Sequence, residues 1–440
     1  MKKTVLVLGA GLVARPLVRY LLDNGARLVI ATRTVDKAQA LLDGHPSGTA
    51  VRLDLADPVD LDARIADSDV VVSLVPYTYH VQIARRCLAL GKHLVTTSYV
   101  SNEMRELSAE AESKGLLFLN EIGLDPGIDH MSAMRVIHHV ENAGGRILSF
   151  RSYCGGLPAP EANDNPWGYK FSWSPRGVLL AGRNASRWIE DGALREAPSE
   201  ELFANNWPVD AAGVGMLEGY PNRDSTQYVG LYGLRHVRTM FRGTLRYPGW
   251  CRMMKGLVDI GWLQLSPPPA GSTTLGAVTA VLCGLAPSAP PDEIRKAAAA
   301  RASLAPDGDA IRRMEWAGLF SSAPAAQAAT ILDVLGAVLE PRLAYRPGER
   351  DMIVLLHEFQ AELADGRRQR ITSTLVDFGV PGGDSAMSRT VSLPAAIAVK
   401  AMLDRKVTAT GVRIPVDPAV YVPVLDGLEK TGIICREVFH

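Results

Sequence analysis

Val5-Leu6-Val7-Leu8-Gly9-Ala10-Gly11-Leu12-Val13-Ala14-Arg15 is the stretch that decides the fold. Its apolar run, rich in Val and Leu, reads as a strand buried on both faces of a parallel sheet. The strand breaks at Gly9, and Leu17, Val18, Leu21 and Leu22 then recur at helical spacing. Strand, glycine turn and helix together match the dinucleotide fingerprint G-x-G-x-x-A. Each position has a physical reason. Gly9 permits the tight turn, Gly11 lets the backbone approach a pyrophosphate, and Ala14 keeps helix and strand close. The helix start around Leu12 and Val13 offers N–H groups and a partial positive charge to phosphates.

Working outward, five more apolar runs follow within the next 115 residues: Arg27–Ala31, Val51–Leu55, Asp69–Pro76, His93–Tyr99 and Leu116–Asn120. Helical segments alternate with them, so the N-terminal part is an α/β domain of the Rossmann type. Ligands in such sheets bind beyond the carboxyl ends of the strands. Those ends carry Arg33, Asp54, Val75, Pro76, Tyr77, Thr97, Ser98, Tyr99, Glu121 and Asp125. The second strand ends in Thr32-Arg33-Thr34, where an NAD-preferring domain would place a carboxylate for the ribose hydroxyls. Arg33, followed by Lys37, suits a 2′-phosphate instead, so NADP(H) is the expected cofactor. Asp54 is expected near the adenine pocket. Asp129 or Ile128 starts the next helix, and Asp129 and His130 read equally as a helix cap and a first-turn residue.

Composition excludes several function classes. The chain has 440 residues, a formal net charge of +0 and 47% hydrophobic residues. That length predicts two or three domains, and the charge gives no reason to propose nucleic acid or an anionic membrane as a partner. No apolar run is long enough to span a bilayer. Met1-Lys2-Lys3 leads directly into a strand without a signal-peptide pattern. Five scattered cysteines form no C-x-x-C pair, so neither a disulfide framework nor a zinc site is expected. The expectation is a cytoplasmic, reduced protein with no metal.

The middle of the chain changes character. Ser149–Cys154 alternates as an antiparallel strand would, then runs into a long segment dense in Gly, Pro and aromatics through Gly177. Tyr220–Thr226 and Phe241–Gly249 read as further loops of that kind. Residues from about Trp250 to Leu339 read as mostly helical. Asp351–His357 and Arg370–Val376 read as strands, and Ser385–Leu403 as an amphipathic helix packing back on the nucleotide domain.

Asn120–His130, Tyr153–Gly177, Tyr220–Thr226 and Arg242–Tyr247 resemble the saccharopine reductase family, NADP-dependent and glutamate-forming. Ser373–Gly379 and Ser385–Val391 extend the resemblance through the C-terminal part, and only the 265–345 region fits loosely. Cys154-Gly155-Gly156-Leu157-Pro158-Ala159-Pro160-Glu161 with Tyr169-Lys170-Phe171-Ser172-Trp173-Ser174 is far more specific than the glycine turn. Trp167 and Pro175 stand where other small or apolar residues would serve as well, and Thr97 replaces one of a pair of serines.

The resemblance implies three domains: an NADP-binding Rossmann domain (1–126 plus 385–440), a mixed α+β substrate and dimerisation domain (127–240 plus 345–384), and a helical domain covering the cleft (241–344). It implies a homodimer, and a reaction in which saccharopine, NADP⁺ and water interconvert with glutamate, α-aminoadipate semialdehyde and NADPH. It also completes a cofactor set: Gly9, Gly11, Leu12, Val13, Ala14, Thr32, Arg33, Thr34, Asp54, Leu55, Val75, Thr97, Ser98, Leu124, Asp125 and Ser174. Ser98, Tyr99, Asp125, Arg223, Arg242, Thr244 and Arg246 form the implied substrate set. The chemistry agrees, because planar guanidinium forks bind carboxylates bidentately and saccharopine carries several carboxylates. Thr244 and Ser98 can donate to a carboxylate, and Asp125 can accept from an amine. Tyr99, Asp125 and Cys154 are the catalytic candidates for proton transfer. Arg176, Arg223, Arg242 and Arg246 outweigh Glu161, Asp164 and Asp224, which favours a polyacid over the polyamine of a carboxynorspermidine-type enzyme. A non-catalytic NADP(H) sensor is the remaining alternative.

Overall fold

Val5 to Leu8 are fully buried in the first strand, so the apolar run does form a strand shielded on both faces. The computed structural model describes residues 3–211 and 213–440. Its strands are β1 (Thr4–Leu8), β2 (Arg27–Thr32), β3 (Gly48–Arg52), β4 (Val70–Ser73), β5 (His93–Thr96), β6 (Leu117–Leu119), β7 (Arg146–Pro158) and β8 (Ser186–Glu190). They continue with β9 (Ala193–Ala197), β10 (Trp207–Ala211), β11 (Gly215–Pro221), β12 (Thr239–Arg246), β13 (Asp351–Glu362), β14 (Arg368–Phe378), β15 (Gly411–Arg413) and β16 (Arg436–Phe439). Two units divide the chain: residues 1–146 with 362–440, and residues 147–361.

In the first unit a parallel sheet has the order β15-β6-β5-β4-β1-β2-β3. The order reverses between β1 and β4, which is where doubly wound sheets open a ligand crevice. The Ala14–Asp23 helix buries Ala14, Leu17, Val18, Leu21 and Leu22, and the Ala386–Leu403 helix packs on it as expected. β3 lies earlier than the predicted Val51–Leu55, because Leu53 is the last residue tied to β2, through its N–H to Thr32 O at 3.0 Å. Asp54 and Leu55 therefore follow the strand. The short β15 adds a seventh strand beside β6 that its three residues give no pattern to predict.

This unit also takes in residues 127–146 and 362–384, which the sequence reading placed in a middle domain. The reason is packing of the Ile128–Asn142 helix on the Pro418–Lys430 helix. His138 Nδ1 lies 2.8 Å from Tyr421 Oη, and Arg135 pairs with Glu429 and Glu437.

In the second unit β10, β11 and β12 are antiparallel neighbours, β12 runs parallel to β7, and β13 lies beyond β7. The β8–β9 hairpin attaches to β12 through Met240 and Ile189. Two loop readings are corrected here. Phe241–Arg246 is a central strand, and β7 continues through Gly155 to Pro158. Their glycines are packing devices. A Cβ on Gly243 would lie 2.8 Å from Tyr220 O, and one on Gly155 would lie 2.8 Å from Leu245 O. Helices Trp250–Ile260, Leu275–Leu282, Pro291–Arg301, Asp309–Trp316 and Ile331–Arg342 share one apolar core with Trp167, Tyr169 and Phe203. Trp167 is thus a core residue, its Nε1 donating to Arg313 O at 2.8 Å, and Pro175 opens a short helix capped by Ser174.

Candidate active site

The first unit builds a dinucleotide cradle from backbone. Gly9 has φ +106°, and a Cβ there would meet the Leu74 carbonyl group at 3.2 Å and Val75 Cγ1 at 3.4 Å. The turn therefore sits tightly against the end of β4. A Cβ on Gly11 meets nothing within 4 Å, so the space beside it stays open for a ligand's approach. No side chain caps the helix that starts at Ala14, and its first turn holds no acidic residue, which leaves its dipole available to phosphate. Leu12 is exposed beside it, while Ala14 is fully buried against the sheet. At the end of β2, Arg33 and Thr34 are exposed and Thr32 is half-buried. Asp54 is exposed, its carboxylate accepting from Ala56 N at 3.0 Å, with Leu55 half-buried beside it. This donor set fits a dinucleotide with a 2′-phosphate.

Beyond β5, Thr97, Ser98 and Tyr99 are half-buried. Tyr99 Oη donates to Asp125 Oδ1 at 2.8 Å, so two of the catalytic candidates form one unit. Asp125 precedes a cis proline, and Gly127 closes the turn with φ +147°; a Cβ there would overlap Gly123. The helix begins at Ile128, and the Asp129 carboxylate accepts from Gly127 N at 2.5 Å. Leu124 is buried, its carbonyl accepting from Asp129 N.

Two polar clusters lie beneath these loops, and their pairings were not read from the sequence, although Glu121 and His130 were named there. Glu121, buried with φ +56°, accepts from Val100 N at 2.9 Å and lies 2.8 Å from His130 Nε2. That carboxylate ties the loop carrying Tyr99 to the loop carrying Asp125. His80, at the start of the His80–Leu90 helix, places Nδ1 2.9 Å from Ser73 Oγ. Its Nε2 lies 2.9 Å from Ser98 Oγ and 3.0 Å from Thr96 Oγ1. Burial lowers the His80 pKa to about 4, so the ring is neutral at physiological pH. Hydroxyl residues closing two adjacent strands, Ser73 and Thr96, were the available signal.

The second unit presents side chains from a strand. Arg242, Thr244 and Arg246 alternate along β12 and so share one face. In register, Thr244 is flanked by Tyr220 on β11 and Cys154 on β7. Cys154 is buried. The Arg242 guanidinium is buried over the Tyr228 ring at 4.3 Å. Arg223, exposed with φ +57°, follows β11, next to Asn222, whose N–H donates to Arg242 O.

Arg246 is 6% exposed, and among the described residues no carboxylate lies within ion-pair distance of it. Its Nη1 donates to Leu245 O at 2.7 Å, while its Nε is buried without a hydrogen-bond partner. The rings of Tyr169 and Trp250 lie 4.9 and 5.5 Å from its guanidinium carbon. The cross-strand carboxylate, Glu218, is already committed. It accepts from Gly249 N at 2.7 Å and Cys251 N at 3.0 Å, at the start of the Trp250–Ile260 helix. Cation–π contact supplies up to about 2 kcal/mol, whereas removing a charge from water costs several kcal/mol. An anion is the partner this geometry lacks.

Arg176 falls outside this group, since Asp333 holds its Nε at 2.8 Å. Of the acidic residues weighed against it, Glu161 pairs with Arg350 and Asp164 with Lys170. Ser174 is exposed and accepts from Gly177 N at 3.2 Å as a helix cap. Among the described residues the five cysteines form no disulfide, and no metal-binding cluster occurs. Among the described residues no helix is long and apolar enough to cross a membrane.

The family model "Saccharopine dehydrogenase NADP binding domain" matches residues 5–119, and "Saccharopine dehydrogenase C-terminal domain" matches residues 123–433. The saccharopine dehydrogenase [NADP(+), L-glutamate-forming] of Schizosaccharomyces pombe is 40% identical over 99% of this chain and 98% of that protein. Its counterpart from Saccharomyces cerevisiae is 42% identical over 99% of both. The solved apo structure of the latter superposes with a TM-score of 0.90 at 41% identity, covering 100% of each chain.

Proposed function

The chain belongs to the saccharopine dehydrogenase family, and we propose that it interconverts saccharopine, NADP⁺ and water with L-glutamate, α-aminoadipate semialdehyde and NADPH. It is an NADP-dependent oxidoreductase acting on a CH–NH bond. The bound NADP(H) supplies the hydride acceptor and donor. The chain's own residues bind, orient and manage protons. Gly9, Gly11, Leu12, Val13 and Ala14 hold the pyrophosphate, and Arg33 with Thr32 and Thr34 holds the 2′-phosphate. Asp54 and Leu55 line the adenine side, and Val75, Thr97, Ser98, Leu124, Asp125 and Ser174 complete the cofactor's surroundings.

Arg246 carries the substrate assignment: a buried guanidinium whose Nε has no hydrogen-bond partner matches a substrate carboxylate. Arg242 and Arg223 take further carboxylates, and Thr244 and Ser98 donate to them. Proton transfer accompanies loss of hydride from the carbon beside the secondary amine, and again as water adds to the resulting imine. The Tyr99–Asp125 pair, joined at 2.8 Å, offers an acceptor and a donor for those protons. Cys154 stands in the same row as Thr244 as a third candidate. A homodimer, a cytoplasmic location that suits five cysteines without a disulfide, and the three-part domain division belong to this reading as well.

The test is an initial-rate assay on NADPH absorbance, offering saccharopine with NADP⁺, saccharopine with NAD⁺, and carboxynorspermidine with NADP⁺. Turnover of saccharopine with a strong NADP⁺ preference is expected. Turnover of the polyamine conjugate alone overturns the substrate, and NADPH binding without turnover of either overturns catalysis.

A further inference from the structure

We propose that His80 is a positioning residue that fixes the Ser98 hydroxyl so that its hydrogen points outward, ready to donate to the bound ligand. This rests on the reading of Ser98 as a ligand-binding residue. A neutral imidazole has one N–H donor and one bare nitrogen acceptor. Ser73 Oγ, fully buried, lies against Nδ1 at 2.9 Å. With Nδ1 as the acceptor, the Ser73 hydroxyl hydrogen is satisfied and the proton sits on Nε2. That N–H then faces Ser98 Oγ at 2.9 Å and Thr96 Oγ1 at 3.0 Å, so it donates to both oxygens. Ser98 receives a hydrogen bond from beneath and keeps its own hydrogen free. A carboxylate or phosphate oxygen accepts only, so this is the polarity such a ligand requires. In the other tautomer Nε2 is a bare acceptor shared by the Ser98 and Thr96 hydroxyls, and a Ser98 hydrogen turned inward onto it would leave only lone pairs for the ligand. His80 itself is 4% exposed, which leaves Ser98 as the group through which it acts.

Full-length enzyme separates this role from mere packing. Asn in place of His80 reproduces the Nδ1 position and keeps a partner for Ser73, while Gln reproduces Nε2 and keeps a donor for Ser98. Ser98→Ala is expected to raise KM for saccharopine or NADP⁺ about tenfold, the scale of one hydrogen bond to a charged group. His80→Asn is expected to match it, and His80→Gln to recover most of the loss. The double variant S98A/H80N should be no worse than S98A within about twofold, because one interaction is removed twice. Losses that multiply in the double variant, or H80Q no better than H80N, overturn the inference alone. An S98A enzyme with unaltered KM values overturns the Ser98 assignment and this inference with it. Because H80N risks misfolding, long-range ¹H–¹⁵N correlation spectra of wild-type enzyme labelled with ¹⁵N-histidine give an independent reading. The Nε2–H pattern for the buried ring is expected, and Nδ1–H overturns the proposal.

Discussion

Gly9 and Gly11 at the end of β1 shape the surface of the first unit by contributing no side chain, whereas the surface proposed for substrate on β12 consists of the side chains of Arg242, Thr244 and Arg246. The first surface depends on backbone geometry: a φ of +106° at Gly9 and open space beside Gly11. The second depends on strand alternation and on charge brought out of water. Backbone cradles need a short local motif. Side-chain sites are assembled from neighbouring strands, here β7, β11 and β12, that lie far apart in the chain. The comparison predicts that damage to the two sites will look different.

The largest effect is expected from Arg246→Met. Losing the carboxylate contact of a buried guanidinium costs about 3–5 kcal/mol, so kcat/KM for saccharopine should fall about a thousandfold. Stability should hold or rise, since an aliphatic chain of similar length replaces a buried cation that has no carboxylate partner among the described residues. Urea unfolding measured beside steady-state kinetics checks both. A marked loss of stability with intact KM would show that Arg246 serves the fold rather than the substrate.

The same contrast governs what could be read from the sequence. The central parallel strands were legible because burial on both faces makes them nearly continuous apolar runs, as in Val5–Leu8 and Val70–Val72. β12 was not, because Arg242, Thr244 and Arg246, which share one of its faces, are charged or polar, and Gly243 resembles a loop residue until the close approach of Tyr220 is seen. The candidate residues Tyr99 and Asp125 were named singly, and their hydrogen bond appears only in three dimensions. His80 was missed, and Glu121 was placed at a strand end without its role, because each acts through partners up to 21 residues away, Ser98 and Val100, that sequence spacing does not connect. Arg176 misled for the opposite reason. It sits in a family-like loop, yet Asp333, far along the chain, claims it.

In the backbone cradle the two glycines should fail in separable ways. Gly9→Ala places a Cβ at positive φ, 3.2 Å from the Leu74 carbonyl, and is expected to cost about 1–3 kcal/mol of stability. Gly11→Ala meets no protein atom within 4 Å, so stability should be unchanged while KM for NADP⁺ rises about tenfold. Denaturation curves and cofactor titrations of the two variants test the distinction. Equal destabilisation by both would remove the argument that the space beside Gly11 belongs to the ligand.

A smaller and more selective change is expected at Arg33, which contributes a side chain within the backbone cradle. Arg33→Ser should raise KM for NADP⁺ about tenfold, the weight of a charge-assisted hydrogen bond, and leave KM for NAD⁺ within about twofold. Parallel kinetics with the two cofactors read the difference directly. Equal losses with both would move Arg33 from phosphate recognition to general folding.

The smallest effect belongs to Arg176, and it sharpens the comparison because the residue has the chemistry of β12 without its surroundings. Its side chain is 56% exposed and its Nε lies 2.8 Å from Asp333 Oδ1, whose pKa is lowered by hydrogen bonds from Thr330 and Arg176. An exposed pair of this kind is worth about 0–1 kcal/mol, because water screens both charges. Arg176→Met should therefore leave kcat/KM within about twofold and stability within about 1 kcal/mol, against the thousandfold expected at Arg246. Thr330 still donates to Asp333 at 2.7 Å in the absence of the arginine, so the cap of the Ile331–Arg342 helix persists. A large rise in the saccharopine KM of R176M would place Arg176 among the substrate's carboxylate ligands, and burial would then cease to separate the arginines that bind substrate from those that do not.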